Sequence, residues 1–351
     1  MDVPDSLARS TSNTDAAPVV DRESTVSLML GKGLMRMLSP GGKSGLSIFI
    51  YHRVLPQKDP LFPAEVDRAD FDRDLHRIKS MFNVIPLLDA VRHTAAGTLP
   101  PRAACITFDD GYADNAEVAL PILQRHKLSA TFFVATGFLD GGRMWNDTVI
   151  ELVRRYPAGV LDARSIGLGS HEIGSTAKRQ QAIQALIGQL KYLPLEHRLD
   201  QVSRMVDIGG IVLPDNLMMS SVQVNELSKG GMDIGGHTVN HPILAKLPPA
   251  KARSEIAEGK QALENIIGEP VRLFAYPNGK PGTDYLAEHV AMTRNLGFEG
   301  AVSTAWGADK HTSDVFQLPR FSPWDRTPLR FALRMAKNLT AQATLTVERQ
   351  D

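Results

Sequence analysis

The sequence predicts an α/β fold, a distorted (β/α) barrel of about seven parallel strands with a helical insertion. Two observations lead to this fold class. Short apolar runs alternate along the chain with longer segments of helical pattern, which indicates a parallel sheet covered by helices. About seven or eight such strand and helix units are enough to close a parallel sheet into a barrel.

The expected elements follow one another in a regular order, and each strand is a short apolar run. The expected strands are 46–51, 83–86, 103–108, 130–135, 232–235, 271–276, 299–303 and 316–320. The expected helices lie at about 70–81, 114–127, 222–229, 250–267 and 283–296. Pro121 falls inside the second of these helices and predicts a kink or a helix start there, because proline has no N–H to donate.

The alternation of strands and helices divides the chain into a tail, a main domain and a terminal segment. The polar start and the linker-like Ser39–Gly45 mark residues 1–45 as a disordered or helical tail. Residues 46–330 form the expected main domain, in which the helix-prone segment 140–221 breaks the pattern and is interpreted as an insertion. Residues 331–351 are a polar C-terminal helix or tail.

Residues 24–38 are an apolar stretch with two basic side chains, and they leave two interpretations open. Such a helix lies on a membrane surface or a partner, or it packs on the body of its own protein. Gly31 and Gly33 weaken the helix in either case.

The composition excludes several classes of protein. The 351 residues carry 39 basic and 39 acidic side chains, and this balance argues against a nucleic-acid partner. The single Cys105 excludes an intramolecular disulfide. No apolar run is long enough for a transmembrane helix, and the N-terminus lacks the pattern of a secretory signal. These features predict a cytoplasmic protein, with membrane association through 24–38 as the alternative; no pattern indicates an oligomeric state.

Two adjacent carboxylates, Asp109 and Asp110, come directly after the expected strand 103–108. Neighbouring acids repel each other and need a neutralising partner near a core edge. His237 and His241 supply a metal-binding pair, since one helical turn would place both imidazoles on one side. Two imidazoles and one carboxylate with open positions are typical of a catalytic metal site. Each pair alone also fits a structural role, as helix-capping acids or as histidines on a helix face.

Two further segments end at expected strands. Phe274-Ala-Tyr-Pro-Asn-Gly279 runs into a turn that can aim backbone N–H groups into a cleft, and His52 ends the first strand. Together these residues suffice for acyl hydrolysis: a metal polarises the carbonyl, a carboxylate takes a proton from water, and a histidine protonates the leaving amine.

The motifs Thr107-Phe-Asp-Asp-Gly111 and His237-Thr-Val-Asn-His241 resemble those of the polysaccharide deacetylases of the nodulation-factor-deacetylase type, carbohydrate esterase family four. The resemblance implies that Asp109 is the catalytic base. It implies that Asp110, His237 and His241 bind a divalent metal, Zn²⁺ foremost, and that the backbone N–H of Asn278 helps form the oxyanion hole. Tyr112 and Tyr276 flank the motifs as cleft-wall candidates, with packing as the alternative.

Two departures from the family pattern are similar to the biofilm poly-N-acetylglucosamine deacetylase branch. Ala275 stands where the family usually has an arginine that orients the base, and a late Leu-x-His motif is missing. This similarity implies that His52 is the catalytic acid. Two alternatives stay open: His52 is a structural histidine at the edge of the core, or His311 is the acid. We expect Arg320 to supply the orienting charge. Trp145 and Trp324 are candidates for stacking on sugar rings or for packing.

The resemblance implies a metal-dependent hydrolase that removes N-acetyl groups from an amino-sugar polymer or oligomer, foremost a bacterial exopolysaccharide. An O-acetyl esterase acting on a glycan is the alternative reaction. A carbohydrate-binding pseudoenzyme is the non-enzymatic alternative, against which the intact set Asp109, Asp110, His237 and His241 argues.

Overall fold

The computed structural model describes residues 25–42, 45–308, 314–323, 325, 327–341 and 346–348. The strands in this part of the chain are β1 (Ser47–Tyr51), β2 (Asn83–Val84), β3 (Ala103–Phe108), β4 (Thr131–Val134), β5 (Val160–Ala163), β6 (Gly169–Glu172), β7 (Asp233–Gly236), β8 (Leu273–Ala275), β9 (Gly300–Trp306) and β10 (Leu318–Arg320). The helices are α1 (Thr25–Leu38), α2 (Arg68–Met81), α3 (Leu87–Ala96), α4 (Leu120–His126), α5 (Trp145–Arg155), α6 (Thr176–Leu190), α7 (Leu195–Gly209), α8 (Ser221–Lys229), α9 (Pro249–Ile267), α10 (Ala287–Asn295) and α11 (Pro328–Thr340).

The main sheet is a nearly closed barrel of parallel strands, which confirms the predicted fold class. Its strands follow the order β1-β3-β4-β7-β8-β9-β10, and β2 pairs with β3 outside this path. Phe321, directly after β10, brings the last strand back to the first. Its N–H donates to the Ile48 carbonyl at 2.8 Å, and its carbonyl accepts from the Ile50 N–H at 3.0 Å. All strand pairs in this sheet are parallel, so their carboxyl ends meet at one mouth.

The strands carry aromatic side chains that pack under the helices. The Phe108 ring stacks on Phe132 with centroids 4.6 Å apart and touches Phe71 of α2 edge-on at 5.6 Å. All three side chains are buried. Fully burying a side chain of this size contributes about 1.5–3 kcal/mol, so this layer holds α2 against the sheet at the carboxyl end of β3.

The chain around Pro121 shows how the predicted helix 114–127 is interrupted. Residues Asn115–Ala119 form a π-helical turn, and α4 begins at Leu120 with Pro121 in its first turn. Proline cannot donate an N–H and its ring clashes with the carbonyl four residues earlier, so the chain widens one turn before it. The proline therefore marks a helix start.

The insertion has a small apolar core of its own, and it is not purely helical. Its core includes Val149, Leu161, Ile183 and Met205. Strands β5 and β6 form an antiparallel hairpin within it, which the expectation of a helix-prone 140–221 segment misses. Both strands are short and carry polar residues, so no long alternation of apolar and polar residues predicts them.

Helix α1 packs on the body of the protein. Leu28, Gly31 and Met35 are its buried residues, and it contacts α11 and α2. A Cβ at Gly31 would lie 2.7 Å from the Met81 side chain, so the glycine allows α1 to approach α2 closely. The opposite face of α1 is exposed, with Met29 and Leu30 at 69% and 65% exposure. Within the described residues, no helix is both long and apolar enough to cross a membrane.

Candidate active site

The carboxyl ends of the barrel strands bring most of the predicted site residues together. His52 follows β1, Asp109 and Asp110 follow β3, and His237 follows β7. A cavity of about 300 Å³ opens between these strand ends. Its lining includes the predicted residues His52, Asp109, Asp110, His237, His241 and Asn278, together with Trp145 and Arg198 from the insertion.

Asp110, His237 and His241 form a compact cluster of metal-ligating atoms. The Nε2 atoms of His237 and His241 lie 3.5 and 3.3 Å from Oδ1 of Asp110. One potential ligand atom from each residue falls within 4.8 Å of the others. Asp110 has a φ of 74°, and Gly111 after it has a φ of 93°. This sharp bend at the end of β3 turns Asp110 toward the histidines, while Asp109 faces elsewhere.

The second nitrogen of His237 fixes the orientation of its ring. Nδ1 donates to the carbonyl of Ala275 at 2.7 Å. Because a carbonyl only accepts, the proton of the neutral ring sits on Nδ1, and Nε2 keeps its lone pair for a metal. The Ala275 backbone therefore supports the metal cluster, although its side chain lacks the usual arginine.

The protonation states of Asp110 and His241 also suit a metal. Burial raises the pKa of the Asp110 carboxyl, but the two histidines beside it outweigh burial and hold the pKa below its ordinary value. Burial lowers the pKa of His241 to about 4, so this ring is neutral at pH 7. Two imidazoles and one ionised carboxylate are the donor set of catalytic zinc sites, and the three side chains fit a divalent ion.

The segment that carries both histidines is a loop, which corrects the expected helical turn. Thr238 and His241 have φ values of 67° and 49°, which a right-handed helix does not allow. The His241 N–H donates to Thr238 Oγ1 at 3.1 Å. The two rings nevertheless meet, with centroids 4.7 Å apart, because the tight loop folds His241 back beside the end of β7.

Glu255 of α9 holds this loop, and no sequence motif predicts this role. Its carboxylate accepts the N–H groups of Val239 and Asn240 at 3.1 and 2.8 Å and the Asn240 side-chain amide at 2.8 Å. Glu255 is only 2% exposed. A buried carboxylate with three donors is a rigid anchor, and here it fixes the backbone next to His241.

Asp109 lies in the wall of the cavity and forms a buried ion pair with Arg320. The two guanidinium NH groups donate to the two carboxylate oxygens, each at 2.6 Å. Arg320 also donates from Nε to the Ser303 carbonyl at 2.9 Å and from a terminal NH to Thr107 Oγ1 at 3.3 Å. The arginine expected to supply an orienting charge is therefore in contact with Asp109.

This ion pair sets the charge state of Asp109. Burial raises the pKa of the carboxyl, but the charge of Arg320 and its hydrogen bonds outweigh burial and lower the pKa below its ordinary value. Asp109 is therefore ionised at neutral pH. Each carboxylate oxygen that accepts from Arg320 has a second lone pair, so Asp109 keeps the capacity to accept a proton from the cavity.

His52 stands on an exposed loop at the rim of the same cavity. Its carbonyl accepts from the Asn115 side-chain amide at 2.9 Å. Asp114 accepts from Arg53 Nε at 2.8 Å and from the Val54 N–H at 3.0 Å. The buried pair Asp114 and Asn115, which sequence reasoning misses, thus positions the loop that carries His52.

The two tyrosines predicted for the cleft wall differ. Tyr112 lines a second cavity beside the first, and its hydroxyl donates to Asp147 at 3.0 Å. Tyr276 does not reach the cleft, which corrects that prediction. Its side chain is fully buried, stacks on Tyr285 with centroids 3.9 Å apart and donates to the Phe316 carbonyl at 3.1 Å. The alternative of a packing role describes Tyr276.

Asn278 occupies the turn after β8 with a φ of 58°, a left-handed conformation that asparagine tolerates better than most residues. Its carbonyl accepts from Thr304 Oγ1 at 2.6 Å, which fixes the peptide at the cavity wall. Trp145 lines the cavity as well. His311 and Trp324, the other residues considered from the sequence, lie outside the described residues.

Residues 96–301 match the family model described as Polysaccharide deacetylase. The chain belongs to the polysaccharide deacetylase family. Members of this family are hydrolases that act on acetylated polysaccharides. Polysaccharide deacetylases of this class are generally metal-dependent, and the chain has the residues of a metal site.

The relatives compared with this member of the family are distant in sequence. The "Putative polysaccharide deacetylase YxkH" of Bacillus subtilis (strain 168) is 21% identical over 219 residues, which cover 62% of this chain and 50% of that protein. The chain thus spans about half the length of this curated relative. The Streptococcus pyogenes deacetylase PplD, solved in complex with acetate, is similar with a TM-score of 0.56 and 18% identity, over 84% of this chain and 99% of that one. IcaB from Ammonifex degensii is similar with a TM-score of 0.53 and 19% identity, over 84% of this chain and 98% of that one. These two likenesses show a shared fold.

Proposed function

We propose that this deacetylase is a metal-dependent hydrolase that removes N-acetyl groups from an amino-sugar polysaccharide, foremost a bacterial exopolysaccharide. The observation that carries the proposal is the separation of the two adjacent aspartates. Asp110 turns to two histidines, whereas Asp109 is bound by Arg320. Amide hydrolysis needs an electrophile that polarises the carbonyl and a base that takes a proton from water. Asp110 would help to hold the electrophilic metal, and Asp109 is the base.

Asp110, His237 and His241 would hold the metal, with Zn²⁺ as the expected ion. When bound there, the ion supplies a Lewis acid that polarises the acetyl carbonyl and makes water more acidic. Asp110 contributes the negative charge, and the Ala275 carbonyl keeps His237 in the tautomer that presents Nε2.

Asp109 takes the proton of the attacking water. Its Arg320 partner keeps it ionised and restricts its rotation. The Asn278 N–H is directed to the oxyanion that forms on the acetyl group, where a fixed donor contributes about 3–4 kcal/mol of transition-state stabilisation. His52 donates a proton to the leaving amine and contributes about 10²–10⁴-fold to the rate.

Acetate release across a panel of substrates tests the proposal. The panel contains an N-acetylglucosamine oligomer and acetylxylan, assayed with native enzyme, after removal of metal by a chelator, and after addition of Zn²⁺. We expect release from the amino-sugar oligomer that is lost on chelation and restored by zinc. Release from acetylxylan alone would identify an O-acetyl esterase, and no release with no bound metal would indicate a pseudoenzyme.

We further propose that the outer face of α1 and α11 contacts a membrane surface. Both helices lack acidic residues. The face exposes large apolar side chains between basic ones, namely Val26, Met29, Leu30, Met37, Leu329 and Leu333 beside Lys32, Arg36, Arg330 and Lys337. Exposed apolar groups on helices that also expose basic side chains suit a bilayer with anionic lipids.

Vesicle sedimentation tests this contact. We expect the protein to sediment with vesicles that contain phosphatidylglycerol and to bind neutral phosphatidylcholine vesicles less. Met29→Ser combined with Leu30→Ser should weaken the binding, while Val212→Ser, at an apolar position that is 91% exposed elsewhere, should not. Equal binding to both lipids by all variants contradicts the proposal.

A further inference from the structure

Beside the insertion, the cavity at the metal cluster adjoins another cavity of about 250 Å³, distinct from the one that Tyr112 lines. The two cavities share Lys191, Arg198 and Ile243 in their walls. The loop between α6 and α7 forms one side of the second cavity, and Pro242 and Lys246, directly after the histidine loop, form the other. A substrate held at the metal cluster can therefore extend into this space, which we call the insertion subsite.

Arg198, which lies between the two cavities, is a buried cation without an acidic partner. It is 6% exposed, and no carboxylate forms an ion pair with it anywhere in the described chain. The guanidinium donates to the Lys191 carbonyl at 3.1 Å and lies 4.8 Å from the centre of the Trp145 ring. Its Nε is buried with no acceptor among the described residues.

An unpaired buried cation is costly, and the cost indicates a missing anion. A buried charge is normally paired or fully hydrogen-bonded, since leaving it unpaired costs several kcal/mol. Burial lowers the pKa of Arg198 and no acidic group offsets the effect. Even so, a guanidinium stays charged in proteins, so the charge has to be balanced from the cavity side.

The insertion subsite beside Arg198 is positively charged as well. Lys191 and Lys246 line it, and none of the described residues in its wall is acidic. Pro194, the N-cap residue of α7, also lines it and provides no side-chain cap, and the start of a helix favours negative charge. Glu196 lies in the same turn but is exposed and does not line the cavity. Tyr192, 75% exposed, adds an aromatic ring on which a sugar can stack.

We propose that the insertion subsite binds a negatively charged group of the substrate, a carboxylate or a phosphate on a sugar next to the acetylated one. Arg198 is the anchor, because its planar guanidinium binds such oxyanions through paired hydrogen bonds. Lys191 and Lys246 add charge. This inference rests on the proposed deacetylase function and narrows its substrate class to acidic glycans.

Kinetics with paired substrates test the subsite. Acetate release is compared for a hyaluronan tetrasaccharide, which alternates glucuronate with N-acetylglucosamine, and for neutral chitotetraose. The ratio of the two kcat/KM values favours hyaluronan in the native enzyme. It falls about 10- to 100-fold in Arg198→Gln, as the loss of a charged hydrogen bond requires, and by less in Lys246→Gln. Arg204→Gln, on the exposed side of α7, keeps the native ratio.

A binding experiment separates this inference from the proposed function. Binding is measured by calorimetry on the Asp109→Asn protein, because this measurement does not depend on turnover. The probes are the hyaluronan tetrasaccharide, glucuronate and N-acetylglucosamine 1-phosphate. Binding of glucuronate or of the phosphate, weakened by Arg198→Gln and by added salt, supports the subsite and identifies which anion it takes. Binding that is equal for neutral and acidic probes, or unchanged in Arg198→Gln, overturns it, whatever the activity assays give.

Discussion

Replacing Arg320 by methionine leaves the carboxylate of Asp109 buried and unpaired. In the native protein the two side chains are 0% and 4% exposed and share two hydrogen bonds of 2.6 Å. Breaking a buried pair by removing one partner costs about 3–5 kcal/mol. With an unfolding entropy of about 2.1 cal/mol/K per residue, each kcal/mol lowers the melting temperature of the 351-residue chain by about 1.4 °C, so we expect a fall of roughly 4–7 °C.

The same substitution changes the base itself. Burial raises the pKa of Asp109, and Arg320 is the main group that lowers it. Without the guanidinium, the pKa of Asp109 rises above its ordinary value. The acid limb of the profile of kcat/KM against pH then moves to higher pH, and each unit of this shift lowers the rate on that limb about tenfold.

Thermal unfolding and a pH–rate profile measure both effects. Arg320→Lys is the matched control, because it keeps the charge and loses the paired geometry; it should shift the acid limb less than Arg320→Met. The double variant Asp109→Asn with Arg320→Met removes both charges and should be more stable than Arg320→Met alone. If Arg320→Met has the melting temperature of the native protein, and if the acid limb of its kcat/KM profile lies at the native pH, the assigned role of the ion pair is wrong.

Three further changes probe the rest of the site. His52→Ala should slow acetate release by about 10²–10⁴-fold, and a near-native rate would remove His52 from the mechanism. Glu255→Gln should weaken metal binding by about 10–100-fold, measured by chelator competition against the exposed control Glu258→Gln; equal affinities would deny its anchoring role. Burial raises the pKa of Asp147 to about 7, so native stability falls by up to about 4 kcal/mol between pH 4 and 7. Asp147→Asn should flatten the melting temperature over this range, and an unchanged slope would contradict this.

The barrel could be predicted because most of its strands are short, mainly apolar segments between helical segments. The positions of Asp109, Asp110 and His237 could be predicted because they follow such strands, and strand ends meet at one mouth. Even Arg320 could be proposed, since a buried base needs a counter-charge and the usual arginine position holds Ala275.

Other features depend on contacts that a local pattern does not contain. Glu255 reaches a loop 15 residues earlier in the chain, and its position within a helix gives no sign of that contact. Tyr276 directly follows β8. At such a position a shift of one residue decides whether the side chain points into the cleft or into the core. Positive φ angles at Thr238 and His241 replace the helical turn that the spacing of the histidines suggests.

The central claim is that the two adjacent aspartates have different tasks, and metal analysis beside turnover tests it most directly. Asp109→Asn and Asp110→Asn are purified in parallel with the native protein, and bound zinc and acetate release are measured on the same samples. We expect Asp109→Asn to keep its metal and lose turnover, and Asp110→Asn to lose both. Loss of metal from Asp109→Asn, or retention of metal by Asp110→Asn, would show that the two aspartates do not divide the tasks in this way.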